Sequence, residues 1–264
     1  MDRNVMRDAA ETTAKEGRSS IQLSPLDVPK ASDVLANNLR ERILSGEFVE
    51  GSPLPPEREL VTQTRMSRTT VREALRILEV QGLVRIKAGR AGGAFVQRPG
   101  EEVMARSVGL LIRGRQIRLS SLLETREAIE PSCARLAAQH RTAEDLEALE
   151  ALNDAIAGSG TDLGAFLQAN VDWHVSVATA SHNELLTGLM MALQRAIYTS
   201  TENESFINDE VRRTAVRAHR TITNAIRDQD PDAAVRRMSR HVHSYAKAVL
   251  AVEKRTDIDI PDEA

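Results

Sequence analysis

Apolar positions recur at helical spacing over most of the chain, and the places where that spacing stops mark out its parts. Val34, Leu35, Leu39 and Ile43 predict a helix from Ala31 to about Gly46, with Ser32 as its N-cap and Gly46 closing it. A turn rich in glycine and proline follows, "GSPLPPE". A second, short helix is expected from Glu57 to about Thr64, with Pro56 near its start. The stretch "SRTTVREALRIL" (67–78) gathers Val71, Ala74, Leu75 and Leu78 on one helical face, and this third helix is expected to end at Gly82.

After Gly82 the period changes. "LVRIKAGRAGGAFVQ" offers two β-prone runs, Leu83–Ile86 and Ala94–Gln97, around a loop containing Lys87, Gly89, Arg90, Gly92 and Gly93. Three helices and a hairpin in this order describe a winged helix-turn-helix. "RPGEE" (98–102) reads as a linker, and from about Val103 onward only helical patterns remain. They predict helices over 103–113, 118–139, 143–157, 161–179, 184–200, 205–228 and 231–254. The expected fold is therefore mainly α: an N-terminal winged helix-turn-helix with a small β-hairpin wing over 31–98, then an antiparallel all-α bundle of six or seven helices over 99–255. Residues 1–30 and 256–264 read as disordered tails.

Composition narrows the class. The charged fraction of 28% and the absence of any apolar run near the ~18 residues of a membrane helix argue against a membrane protein. One cysteine, Cys133, permits no internal disulfide and suits a reducing cytoplasm. The N-terminus lacks the apolar core of a secretory leader. Residues 30–98 hold 12 Lys/Arg against 8 Asp/Glu, and residues 99–264 hold 19 against 25. That asymmetry suggests polyanion binding confined to the first segment.

The third helix carries the sharpest chemistry. Arg68, Arg72 and Arg76 stand four residues apart, on one line opposite the apolar face. With Ser67 as N-cap, Arg68 lies in the first turn, where the helix dipole disfavours a cation by roughly 0.3–1 kcal/mol. A solvated stripe gives no reason to accept that cost. A recognition helix does, because its N-terminal residues enter the major groove, where arginine bonds a guanine edge through two donors. Ser67, Thr69 and Thr70 are short donors for phosphate or base, Arg72 is one turn on, and Arg58 on the preceding helix can clamp the backbone. Gly89 and Arg90 at the wing tip are placed for the minor groove or phosphates.

Residues 32–97, and above all "PPEREL", "SRTTVREALRILEVQGLV" and "GGAFV", resemble the DNA-binding domain of the gluconate-repressor (GntR) family. The resemblance implies that Arg58, Arg68, Thr70, Arg72 and Gly89 touch double-stranded DNA. Thr70, where the wider family often has proline, is similar to the fatty-acid-regulator (FadR) branch.

In the second half Asn170 and His174 share a helical face, while His219 and His241 fall on the last two expected helices. Each histidine alone reads as a lone helical residue, and His140, His182 and His243 are assigned that way. Asp172 is two residues from Asn170 and turns away from His174. "LLETREAIEPSCARLAA", "NVDWHVSVATASHN" and "AHRTITNAIRDQDPDAAVRRMSRHV" resemble the FCD effector domain of the FadR-like branch. That resemblance implies a divalent metal held by an aspartate, a histidine four residues later and two further histidines. His174, His219 and His241 fall on the histidine positions, and Asn170 replaces the aspartate.

An amide brings no charge, so the site would be one positive charge richer than the family's. Metal affinity should fall and attraction for an anion at the open positions should rise. Three imidazoles suit zinc, with nickel second; the alternative is a polar effector pocket without metal. Arg126 matches an effector-facing arginine of the family, placed to pair with a small carboxylate; the alternative is a surface arginine paired with Glu130. Together these expectations describe a ligand-responsive transcription regulator, a repressor, binding an inverted-repeat operator as a homodimer in the cytoplasm. A metal-dependent hydrolase and an architectural DNA binder are the competing classes.

Overall fold

The computed structural model describes residues 28–89, 92–202, 207–252 and Ile258. The first part consists of α1 (Ala31–Leu44), α2 (Glu57–Thr64), α3 (Arg68–Val80), β1 (Val84–Lys87) and β2 (Gly93–Val96). The second consists of α4 (Glu101–Arg115), α5 (Leu119–His140), α6 (Ala143–Gly158), α7 (Leu163–Thr179), α8 (Glu184–Thr201), α9 (Asp209–Arg227) and α10 (Pro231–Val252). All seven bundle helices expected from the sequence are present. Most of the two segments read as tails lies outside the described residues.

The first part has its own core. Leu35, Leu39 and Ile43 of α1 meet Leu60 of α2, Val71, Leu75 and Leu78 of α3, and Val84 and Val96 of the hairpin. Two details of α1 differ from expectation. Lys30 precedes the helix in extended conformation, and no side chain caps it. Ser32 is instead buried in the first turn, and Val34 is 49% exposed while Leu35 and Ala36 face inward. The inward stripe follows 32, 35, 36, 39 and 43, so Val34 falls beside it rather than on it. At α3 the expected cap is in place: the Thr70 amide donates to Ser67 Oγ at 3.1 Å.

The wing pairs Val84 with Val96 and Lys87 with Gly93, antiparallel. The turn "GSPLPPE" lends β2 a further edge. Gly51 N donates to Val96 O, Val96 N to Ser52 O and Leu54 N to Ala94 O, at 2.8–2.9 Å, which sets Pro53 opposite Phe95. Proline is tolerated there because an edge residue has no inward donor to lose. Gly92 is required by space: a Cβ would sit 2.3 Å from the Lys87 carbonyl oxygen.

In the bundle α5 packs most extensively along α10, α4 lies against α8, and α6 lies between α7 and α9. One continuous core runs through it, from Leu122 and Cys133 through Leu149, Trp173 and Met190 to Ile226 and Met238. α9 starts at Asp209, four residues later than expected, because Asn208 Oδ1 accepts from the Glu210 and Val211 amides and caps it there. In the stretch read as a C-terminal tail, Ile258 is 7% exposed, joins this core and donates its amide to Ile117 O. That residue is anchored. Among the described residues no helix is long and apolar enough to cross a membrane.

Candidate functional site

α2 and α3 are joined by Arg65–Ser67, with Arg65 in the left-handed region at φ 57°. Val71, Ala74, Leu75 and Leu78 are buried beneath α3. The opposite face therefore presents Arg68, Thr69, Arg72 and Arg76 to solvent. Ser67 and Thr70 hydroxyls lie 2.8 Å apart, so the cap and the first-turn threonine form one polar corner beside Arg68. Arg72 Nε donates to Glu57 Oε2 at 2.9 Å. Both partners are largely solvated, so the pair contributes little and is readily exchanged for a phosphate. Arg58 is exposed on α2 and Gly89 on the wing, with φ +105°. Arg90 lies outside the described residues.

Three helices bring His174 (α7), His219 (α9) and His241 (α10) together. Each offers one ring nitrogen, and these lie within 4.8 Å of one another. His219 Nε2 and His241 Nε2 face each other at 3.1 Å. At most one proton fits between them. Trp173 supports the cluster by stacking on His219, centroids 3.9 Å apart and planes 5° from parallel. Its indole N–H donates to Thr223 Oγ1, which also accepts from Asn153 Nδ2. Asn170 lines the same small cavity as His174, His241, Arg126 and Tyr245. Asp172 does not reach it, since its carboxylate accepts from Gln168 and Gln194 instead.

The residue that sequence reasoning passed over as a mere surface partner is Glu130. It is 1% exposed and Arg126 is 3% exposed, so the pair is interior. Glu130 Oε1 accepts from Arg126 Nε at 2.6 Å, and Glu130 Oε2 stands 2.6 Å from His174 Nδ1. Arg126 NH2 also lies 3.2 Å from His174 Nε2, while its guanidinium covers the Tyr245 ring. Arg126 borders the cavity and is paired with Glu130, but it is not on the surface.

The electrostatics follow from this packing. Burial would raise the Glu130 carboxyl, yet Arg126 and His174 overcome it and hold that carboxyl well below the usual carboxylate range. Burial lowers all three imidazoles. For His174 the Glu130 charge partly offsets it, whereas His219 is pushed down further by its two histidine neighbours. His241 is pushed down to about 3 by burial first and His174 next. Burial thus disfavours the charged form of all three rings, and a metal takes the uncharged form. Tetrahedral Zn–N bonds of ~2.05 Å separate ligand nitrogens by about 3.3 Å, within the spread found here. His219 Nδ1 is buried with no hydrogen-bond partner among the described residues. The donor set fits a borderline-soft divalent cation.

Comparison with known proteins agrees with both halves. Residues 31–96 match the model of bacterial regulatory proteins of the gntR family, and residues 121–244 match the FCD domain. The galactonate operon transcriptional repressor of Escherichia coli K12 is 35% identical over 215 residues, covering 77% of this chain and 90% of that protein. The HTH-type transcriptional repressor NanR of Klebsiella aerogenes is 29% identical, over 93% of this chain and 95% of the other. Among solved structures, a Streptococcus agalactiae GntR protein superposes with a TM-score of 0.60 at 27% identity, covering 82% of this chain and 99% of that one. The chain therefore belongs to the gntR family of bacterial regulatory proteins, as a DNA-binding transcription regulator with an FCD domain and not as an enzyme.

Proposed function

We propose that this regulator is a ligand-responsive repressor that binds an inverted-repeat operator as a homodimer and senses a small organic acid at a metal-containing pocket in its bundle. The observation that carries the sensor reading is the convergence of three buried or half-buried imidazoles beside the buried Arg126. A divalent ion held by His174, His219 and His241, with Asn170 as an amide donor, would supply a Lewis-acidic position for one carboxylate oxygen. Arg126 would bind the other oxygen or a neighbouring hydroxyl through its remaining donors. The relative named for the galactonate operon makes sugar acids the first class to screen.

The free volume beside the histidines is only ≈ 30 Å³, room for an ion or a water. A hydroxy acid needs Ile207, Val211 or Tyr245 to move aside, so the liganded arrangement differs from this one. An effector that favours the second arrangement shifts the population of dimers away from the spacing that fits DNA. On the DNA side, Arg68 would read base edges, Ser67, Thr69 and Thr70 would bond phosphate or base, and Arg72, Arg58 and the wing at Gly89 would hold the backbone.

The test is a footprint on the DNA upstream of the chain's own gene, repeated with sugar acids, with and without Zn²⁺. Protection of a two-fold symmetric site that one acid abolishes supports the reading. Protection that no acid alters removes the sensor, and a preparation that takes up no metal leaves Arg126 and the histidines to bind the acid directly.

A further inference from the structure

Glu130 and Arg126 form a closed triangle with His174. One carboxylate oxygen holds Arg126 Nε, the other meets His174 Nδ1, and the guanidinium returns to His174 Nε2 at 3.2 Å. The two contacts on the imidazole act in opposite directions. The Glu130 charge, 2.6 Å from Nδ1, favours a proton on that nitrogen and raises the basicity of Nε2, as a carboxylate behind a ligating histidine does. Arg126 occupies that same Nε2 lone pair and adds a positive charge beside it. The lone pair serves one partner at a time.

We propose that Glu130 is the positioning residue for His174 as a metal ligand and that Arg126 is its competitor, so that metal binding and release of Arg126 toward the cavity are one event. The inference rests on the metal reading above. Its consequence is coupling. The Arg126 NH2 group must leave His174 Nε2 before that nitrogen can ligate, and it then turns to the cavity it already borders, where an anion can accept its hydrogen bonds. Glu130 stays bound to Nε throughout, so the guanidinium pivots rather than departs. Metal and carboxylate then strengthen each other's binding by linkage. The position of Asn170 fits the same logic: with a neutral amide where the family has an aspartate, Glu130 is the one carboxylate in contact with this histidine cluster among the described residues.

The experiment measures zinc affinity of the full-length protein by competition with a chromophoric chelator, for the wild type, Arg126→Met and Glu130→Gln. A merely structural pair would weaken zinc in both variants, because loosening the bundle scatters the ligands. The triangle predicts opposite signs: R126M binds zinc about tenfold tighter or more, whereas E130Q binds it about 10- to 100-fold weaker. The double variant R126M/E130Q, which buries no charge, gives the answer if E130Q alone does not fold: it should bind zinc more weakly than R126M. Zinc binding in the wild type with R126M unchanged or weaker overturns the competition and leaves the metal site standing. An E130Q protein that binds zinc as tightly as the wild type removes Glu130's role. No zinc bound by any variant removes the metal reading and this inference with it.

Discussion

Trp173 of α7 and His219 of α9 lie face to face with ring centroids 3.9 Å apart and planes only 5° from parallel. The indole is fully buried and its N–H is bonded to Thr223. It is therefore a fixed plate against which the imidazole is held, with Nε2 aimed at His241. Trp173→Ala should cost roughly 3–5 kcal/mol of stability through the cavity it leaves. Trp173→Phe keeps an aromatic plate and should cost less. Chelator competition on whichever variants stay folded should show zinc affinity falling in the order wild type, Phe, Ala. Equal affinities would mean that the stack is packing alone.

Thr223 is the acceptor for two buried donors, Asn153 Nδ2 and Trp173 Nε1. Thr223→Val preserves the shape and strands both, at roughly 1–3 kcal/mol for each unsatisfied donor. Thr223→Ser keeps the oxygen and should cost about 1 kcal/mol for the lost methyl. Urea unfolding of the pair separates these. A valine variant as stable as the serine one would show that another acceptor takes over.

The amide at Asn170 leaves the proposed ion less neutralised than a carboxylate would. Asn170→Asp should tighten zinc binding about tenfold or more and weaken an anionic effector at the open positions. Isothermal titration with zinc and then with the acid found in the footprint screen reads both. If zinc affinity does not change, the side chain at this position does not reach the metal.

On the DNA side, Arg68 and Arg72 are both exposed, so replacing either with alanine should leave thermal stability within about 0.5 kcal/mol. Their effects on binding should differ in kind. Arg68→Ala should lose roughly 1–3 kcal/mol against the operator and relax preference at one base position. Arg72→Ala should weaken all sequences alike and reduce the salt slope of log K by about 1. Ser67→Ala is the stability control, expected to cost about 1 kcal/mol through the lost cap. Gel-shift titrations at several salt concentrations distinguish the three. Identical salt slopes for wild type and Arg72→Ala would take Arg72 off the backbone.

Much of the molecule was legible in the order of its residues. Helix α3 shows why: Val71, Ala74, Leu75 and Leu78 recur at a spacing that only a helix turns to one side, and Ser67 marks its start by a local hydrogen bond. The bundle helices follow from the same periodicity. The misses are where a neighbour decides. Val34 satisfies the period yet lies beside the buried stripe, Pro53 becomes an edge because β2 is next to it, and Ile258 is tied down by the carbonyl of Ile117.

The candidate pocket divides in the same way. His174, His219, His241, Asn170 and Arg126 were recognisable because their spacing and their resemblance to a known domain name them one at a time. That Glu130 belongs with them was not. A glutamate four residues after an arginine is ordinarily a solvated pair on a helix surface, and the hint against it was weak: Leu122, Leu123, Cys133 and Ala134 place the inward face of α5 on the same side. Periodicity and local hydrogen bonds act between residues close in the chain, so the sequence alone determines the helices, the cationic face of α3 and the candidate ligands. Burial, the convergence of the three imidazoles and the triangle of Arg126, Glu130 and His174 depend on the distance between helices far apart in the chain. Only the packing of α5, α7, α9 and α10 decided them.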